Sequence, residues 1–106
     1  MSRAYRTYRT FKGREVLVFK TDRTYSPKGQ RIAAAEIPDG RVMFADVDRG
    51  IDGITTITRH RADTLDEHVM WCYDRGHYLS GVDLQRHDVV EQGELMAELI
   101  RLAEEL

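Results

Sequence analysis

The apolar residues of this chain are spaced in two ways. Up to residue 58 they come in short runs separated by turns that carry glycine, proline or aspartate; beyond residue 64 they recur three or four positions apart. The first spacing predicts antiparallel strands and the second predicts helices. Val16, Leu17, Val18 and Phe19 are apolar in succession, so both faces of that strand are apolar and it belongs in the middle of a sheet. Ahead of it lies Tyr5-Arg6-Thr7-Tyr8-Arg9-Thr10-Phe11, a period-three repeat that suits neither strand nor helix well, although its Tyr, Thr and Phe favour a strand. Lys12-Gly13 is a two-residue hairpin turn between the two, because glycine accepts positive φ. Residues 22–29 read as a loop built on Pro27 and Gly29. Residues 30–37 and 41–47 read as a hairpin closed by Pro38-Asp39-Gly40. Ala33, Ala34 and Ala35 form strands poorly, but their small size would let a helix approach the sheet closely. Residues 48–53 read as a further turn and residues 54–58, rich in threonine, as a strand near an edge.

Thr64 and Glu67 have capping-box spacing, with Asp66 and Glu67 in the first turn of the helix they start. Arg75 in its last turn complements the dipole, and Gly76 is its natural stop. Residues 77–84 read as a short strand. A second helix follows between residues 88 and 106, with Leu95, Leu99, Leu102 and Leu106 in one stripe and Met96, Ile100 and Ala103 in the next. Together these predict an α+β fold: an antiparallel β-meander of five or six strands with two helices packed on one face and a strand between the helices. Residues 1–106 are expected to form one domain, with residues 1–12 either a partly ordered basic arm or an edge strand.

Composition narrows the class. With 42% hydrophobic and 32% charged residues in 106, the chain is able to bury a core. No apolar run reaches transmembrane length, the basic N-terminus lacks the apolar segment of a secretory signal, and a single cysteine forbids an internal disulfide. A cytoplasmic protein without a membrane partner is the expectation. The net charge of −2 hides an asymmetry, since residues 1–31 hold nine basic and two acidic residues and residues 32–106 hold seven basic and sixteen acidic ones. The two parts either face each other or present surfaces of opposite sign.

Residues 64–78 concentrate the tempting chemistry: Trp71, Cys72 and two of the four histidines. His68 and Cys72 are one helical turn apart and His77 follows, a set that resembles three zinc ligands but lacks a second cysteine pair. As a nucleophile Cys72 sits in the wrong half of its helix, where the dipole opposes a thiolate. Asp46, Asp48 and Asp52 fail a calcium loop at Gly50 and Arg59, which leaves a turn. No glycine-rich phosphate loop is present. No catalytic residue, cofactor or metal is therefore expected, with a Cys/His metal domain kept as the third reading.

Two binding readings remain. At about 100° per residue, Leu65, Val69, Cys72 and Tyr73 share the core arc, and Trp71 lies off it between Glu67 and Arg75, with Met70 near Asp74. A tryptophan in such a place is either an interface anchor or is covered by the second helix. The leading expectation is a small non-catalytic binding protein acting through protein–protein contacts at Trp71, Met70, Glu67 and Arg75 and at the acids Glu91, Glu94 and Glu98. An inhibitor or adaptor of a nucleic-acid-handling complex, of the phage anti-CRISPR kind, fits this charge layout. The alternative is a nucleic-acid-binding module that uses Arg3, Arg6, Arg9 and Lys12 on phosphates and Tyr5 and Tyr8 on bases. The leucine stripe spans under two heptads, which leaves a homodimer open.

Overall fold

A computed structural model describes residues 3–21, 30–74 and 86–106. Five strands, β1 (Arg3–Phe11), β2 (Arg14–Thr21), β3 (Arg31–Glu36), β4 (Val42–Asp46) and β5 (Ile51–Ile54), form one antiparallel sheet in chain order. Two helices, α1 (Leu65–Asp74) and α2 (Arg86–Glu104), pack against it. This is the α+β meander that the spacing of apolar residues predicts.

The turns follow their residues. Lys12 and Gly13 have φ of +50° and +77°, and two successive positive φ values give the twist that joins tightly paired strands. Gly40 closes the β3–β4 turn at φ +90°, and a Cβ built there would stand 2.5 Å from Thr58 Cγ2. The positive φ is what favours glycine at position 40, and a side chain there would also have to displace the Thr58 methyl.

The helices do not share a face. Val16, Val18, Ala33, Ala35, Met43 and Ala45 are buried with Leu95, Leu99 and Leu102 of α2. Leu17, Phe19, Ile32, Ala34 and Phe44 are buried with Leu65, Val69 and Cys72 of α1. Neighbouring residues along a strand point to opposite faces, so α1 and α2 cover opposite sides of the sheet. The expectation of two helices on one face is corrected here. Its physical reason lies in β2: a strand apolar at every position from 16 to 19 needs cover on both sides. The alanines do admit a helix, since Ala33, Ala35 and Ala45 lie beneath α2. The leucine stripe at 95, 99 and 102 is spent on this core and offers no coiled-coil seam.

Two further details differ from expectation. The last strand is Ile51–Ile54 rather than residues 54–58. Thr55 ends the ladder: its Oγ1 accepts from Val42 N at 3.1 Å and donates to the Ile57 carbonyl at 3.1 Å. A hydroxyl that captures main-chain groups competes with sheet pairing. In α2, Gln92 departs from helical geometry (φ −119°, ψ 17°) just before Gly93, so the helix runs from Arg86 across a kink. The strand expected over 77–84, the loop over 22–29 and the Gly76 stop lie outside the described residues.

Candidate functional site

Thr64 opens α1 as its spacing predicts. Glu67 N donates to Thr64 Oγ1 at 3.1 Å, and Thr64 N donates to Glu67 Oε2 at 2.9 Å. This reciprocal cap fixes the rotation of the helix and hence what each side carries.

Its inner side holds His68 and Cys72, with Sγ 3.6 Å from Nε2. Both are buried, and His68 makes a further hydrogen bond with the backbone of Ile57. Burial pushes the Cys72 thiol up to about 11 and holds His68 below its ordinary value. A thiol held protonated by burial is not an activated nucleophile. Among the described residues no group of three His, Cys, Asp or Glu side chains could hold a metal; His77 lies outside them.

Its outer side carries Trp71, 40% exposed, with Glu67 one turn before it also exposed. Met70, expected on this side, is 7% exposed and belongs to the core beneath α1. The unbranched, flexible thioether lets a residue at the margin of the helix arc fold back over the sheet. Arg75 lies outside the described residues.

The acids of α2 are on the other side of the sheet from Trp71, so the expected interface is two surfaces. Glu91 is exposed. Glu94 pairs with Lys12 of the β1–β2 turn, which holds its carboxyl below the usual range. Glu98 binds Arg101 at 2.6 Å, and Glu105 binds the same guanidinium at 2.5 Å. Much of the acidity of this helix is thus compensated inside the molecule, and Lys12–Glu94 joins the basic N-terminal part to the acidic C-terminal part.

The basic arm is strand β1. Tyr8 is 41% exposed and Arg9 is exposed. Arg6 stands opposite Phe19 and Arg9 opposite Val16, register positions that alternate between the two faces, as do those of Tyr5 and Tyr8. Tyr8, opposite Leu17, and Arg9, opposite Val16, therefore do not share one face as a stacking platform; the side chains of Arg3, Tyr5 and Arg6 lie outside the described residues.

A cleft of about 710 Å³ opens at the end of the sheet between the β1–β2 turn, the β3–β4 turn and residues 58–61. Two of its charged residues, Glu36 and Arg59, are tied to each other. Arg59 donates to both Glu36 carboxylate oxygens at 2.8 and 2.9 Å and to the Asp63 carbonyl, and Arg14 donates to the Glu36 carbonyl at 2.8 Å. Such a bidentate pair braces the segment that leads into α1.

Asp46, Asp48 and Asp52 do not converge. Asp48 is bound by Arg31 at 3.0 Å, and Asp52 shares the register of Ala45, on the face opposite Asp46. Asp46 is no solvated turn residue: it is buried, accepts from Gln30 Nε2 at 2.6 Å and from Arg49 N at 3.1 Å, and burial raises its pKa. Sequence reasoning missed this pair. The signal was the alternation of β4, which puts Asp46 on the same face as Val42 and Phe44.

No family model, curated protein or solved structure matches the chain. No helix among the described residues is long and apolar enough to cross a membrane.

Proposed function

We propose that this domain is a non-catalytic protein-binding module whose anchor is Trp71 on the outer side of α1. One observation carries the reading. Val69, Met70 and Cys72 around it are buried, yet the largest side chain of the helix is 40% exposed. A helix that fills its core with Val, Met and Cys while holding tryptophan toward solvent has the composition of an interface anchor, where tryptophan is the most enriched residue. The first turn adds Asp66 and Glu67, so a partner surface with an apolar socket rimmed by basic residues complements it. Nucleic-acid-handling proteins carry such basic surfaces, and inhibition or adaptation of one is the role this chemistry fits. The buried, protonated Cys72 favours binding over catalysis.

The test is capture of a partner from nuclease-treated lysate by the wild type and by Trp71→Ala. The expected result is a protein that the wild type retains and the variant loses, with both variants melting alike. Unchanged capture removes Trp71 from the interface. Capture that disappears with nuclease, in the wild type itself, replaces the reading by nucleic-acid binding.

A further inference from the structure

The cleft at the end of the sheet holds charges of two kinds. Some have partners: Glu36 and Arg59 hold each other, Asp39 is bound by Arg41 at 2.6 Å, and Lys12 is bound by Glu94. Arg14, Arg61 and Glu15 line the same cleft without one. Among the described residues no carboxylate pairs with either guanidinium and no cation pairs with Glu15, which reaches Arg59 only through its field. Arg14 is half-buried, and one of its terminal nitrogens donates to the Glu36 carbonyl at 2.8 Å. A guanidinium carries five N–H groups in a fixed fork, so most of the Arg14 donors are left for a ligand.

The walls are set before any ligand arrives. Arg59 grips Glu36 through two bonds of 2.8 and 2.9 Å, and Arg59 N donates to the Gly40 carbonyl at 2.6 Å. Gly13 and Gly40 hold the two turns at positive φ. Ile37 and Leu65, both buried, line the cleft beside Pro38 and offer a surface to methylene groups. A preformed cavity of about 710 Å³ with an apolar lining and a few convergent polar groups is the usual form of a small-molecule site.

We infer that this cleft binds an acidic α-amino acid, whose two carboxylates and one ammonium complement the two guanidiniums and one carboxylate left unpaired in it. Arg14 and Arg61 each take a carboxylate, Glu15 takes the ammonium, and the methylenes lie against Ile37 and Leu65. The guanidinium fork matches a carboxylate, and such a pair is stronger in a cleft partly shielded from water than on an open surface. Phosphate would satisfy the arginines but set like charge against Glu15, and so would a dicarboxylate without the amine. The site uses no residue of the Trp71 surface and does not depend on the protein-binding reading.

Calorimetric titration of the full chain with L-glutamate, L-aspartate, glutarate and inorganic phosphate, at constant ionic strength, tests this. The expected result is saturable one-to-one binding of glutamate or aspartate, with glutarate and phosphate about tenfold weaker, the worth of one charged hydrogen bond. Arg61→Gln is expected to weaken glutamate by about the same factor, and Glu15→Gln to erase the preference for glutamate over glutarate. Both residues are exposed, so melting is expected to stay unchanged. Amide shifts on glutamate addition should centre on Gly13, Gly40 and Leu65. No binding of either amino acid up to tens of millimolar overturns the inference. Equal binding of glutarate or phosphate also overturns it, since that marks a general anion site. Binding that neither substitution alters, or shifts centred elsewhere, does the same by placing the ligand on another surface. The shifts on the wild type decide the matter even where a variant fails to fold.

Discussion

On one side of the sheet, α2 lies over Val16, Val18, Ala33, Ala35 and Ala45; on the other, α1 lies over Leu17, Phe19, Ile32 and Phe44. The strands are the same and only the parity of the residues changes. Beneath the 19-residue α2 the sheet is lined with small side chains, which bring a long helix close, and the cluster is wholly apolar. Beneath the 10-residue α1 the side chains are large, and buried polar groups intrude: Gln30 with Asp46, and His68. The α2 side is a packing surface, and the α1 side adds polar groups whose hydrogen bonds fix one arrangement. The side that holds the polar groups is also the one that presents Trp71.

The largest effects should come from emptying either side. Phe44→Ala is expected to cost about 3–5 kcal/mol and Leu99→Ala about 2–5 kcal/mol in urea unfolding, both residues being fully buried. Near-equal losses would show the two helices folding as one cooperative unit with the sheet. A biphasic transition in one variant alone would separate them. Overfilling distinguishes the sides further. Ala35→Leu wedges a side chain beneath α2 and is expected to cost about 1–3 kcal/mol, with α2 amides losing exchange protection before those of α1. Thr64→Ala removes one half of the α1 cap, and a loss of about 1 kcal/mol is expected from the same unfolding measurement.

The smallest effect is a pH slope confined to the α1 side. Burial lowers the folded pKa of His68 below 6.5, with Asp63 and Arg59 acting in opposite directions upon it. Between that lowered value and 6.5 the unfolded chain binds more protons, so stability falls as pH drops through this window. His68→Gln should flatten the slope, as read from urea midpoints above and below 6.5. An unchanged slope would assign it to other groups.

Strand order and the capping box were legible because each depends on residues close in sequence: Lys12-Gly13, Pro38-Asp39-Gly40, and Thr64 with Glu67. The sidedness of the helices was present in the unbroken apolar run at 16–19, but helical and strand periods are read one segment at a time, and cover is a property of the whole sheet. Helical spacing placed Trp71 correctly away from the core and Met70 wrongly, because an angle on a wheel ignores how far a flexible side chain reaches. The extent of β5 was hidden by the threonines at 55, 56 and 58, which suit a strand by composition, while Thr55 uses its hydroxyl to end one. Glu94 looked like a free surface acid, since nothing in its neighbourhood along the chain foretold Lys12, far away in sequence.

The meander has a consequence for how the protein is made. Each strand pairs with the one synthesised just before it, so the sheet is able to zip up as it leaves the ribosome. The helix that covers Val18, Ala33 and Met43 follows all five strands in the chain. Until it arrives, one apolar side of the sheet stands open to solvent or to a chaperone. The chain is therefore most prone to aggregation between the completion of β5 and the arrival of α2, and a truncation that withholds α2 would release the stickiest form of this domain.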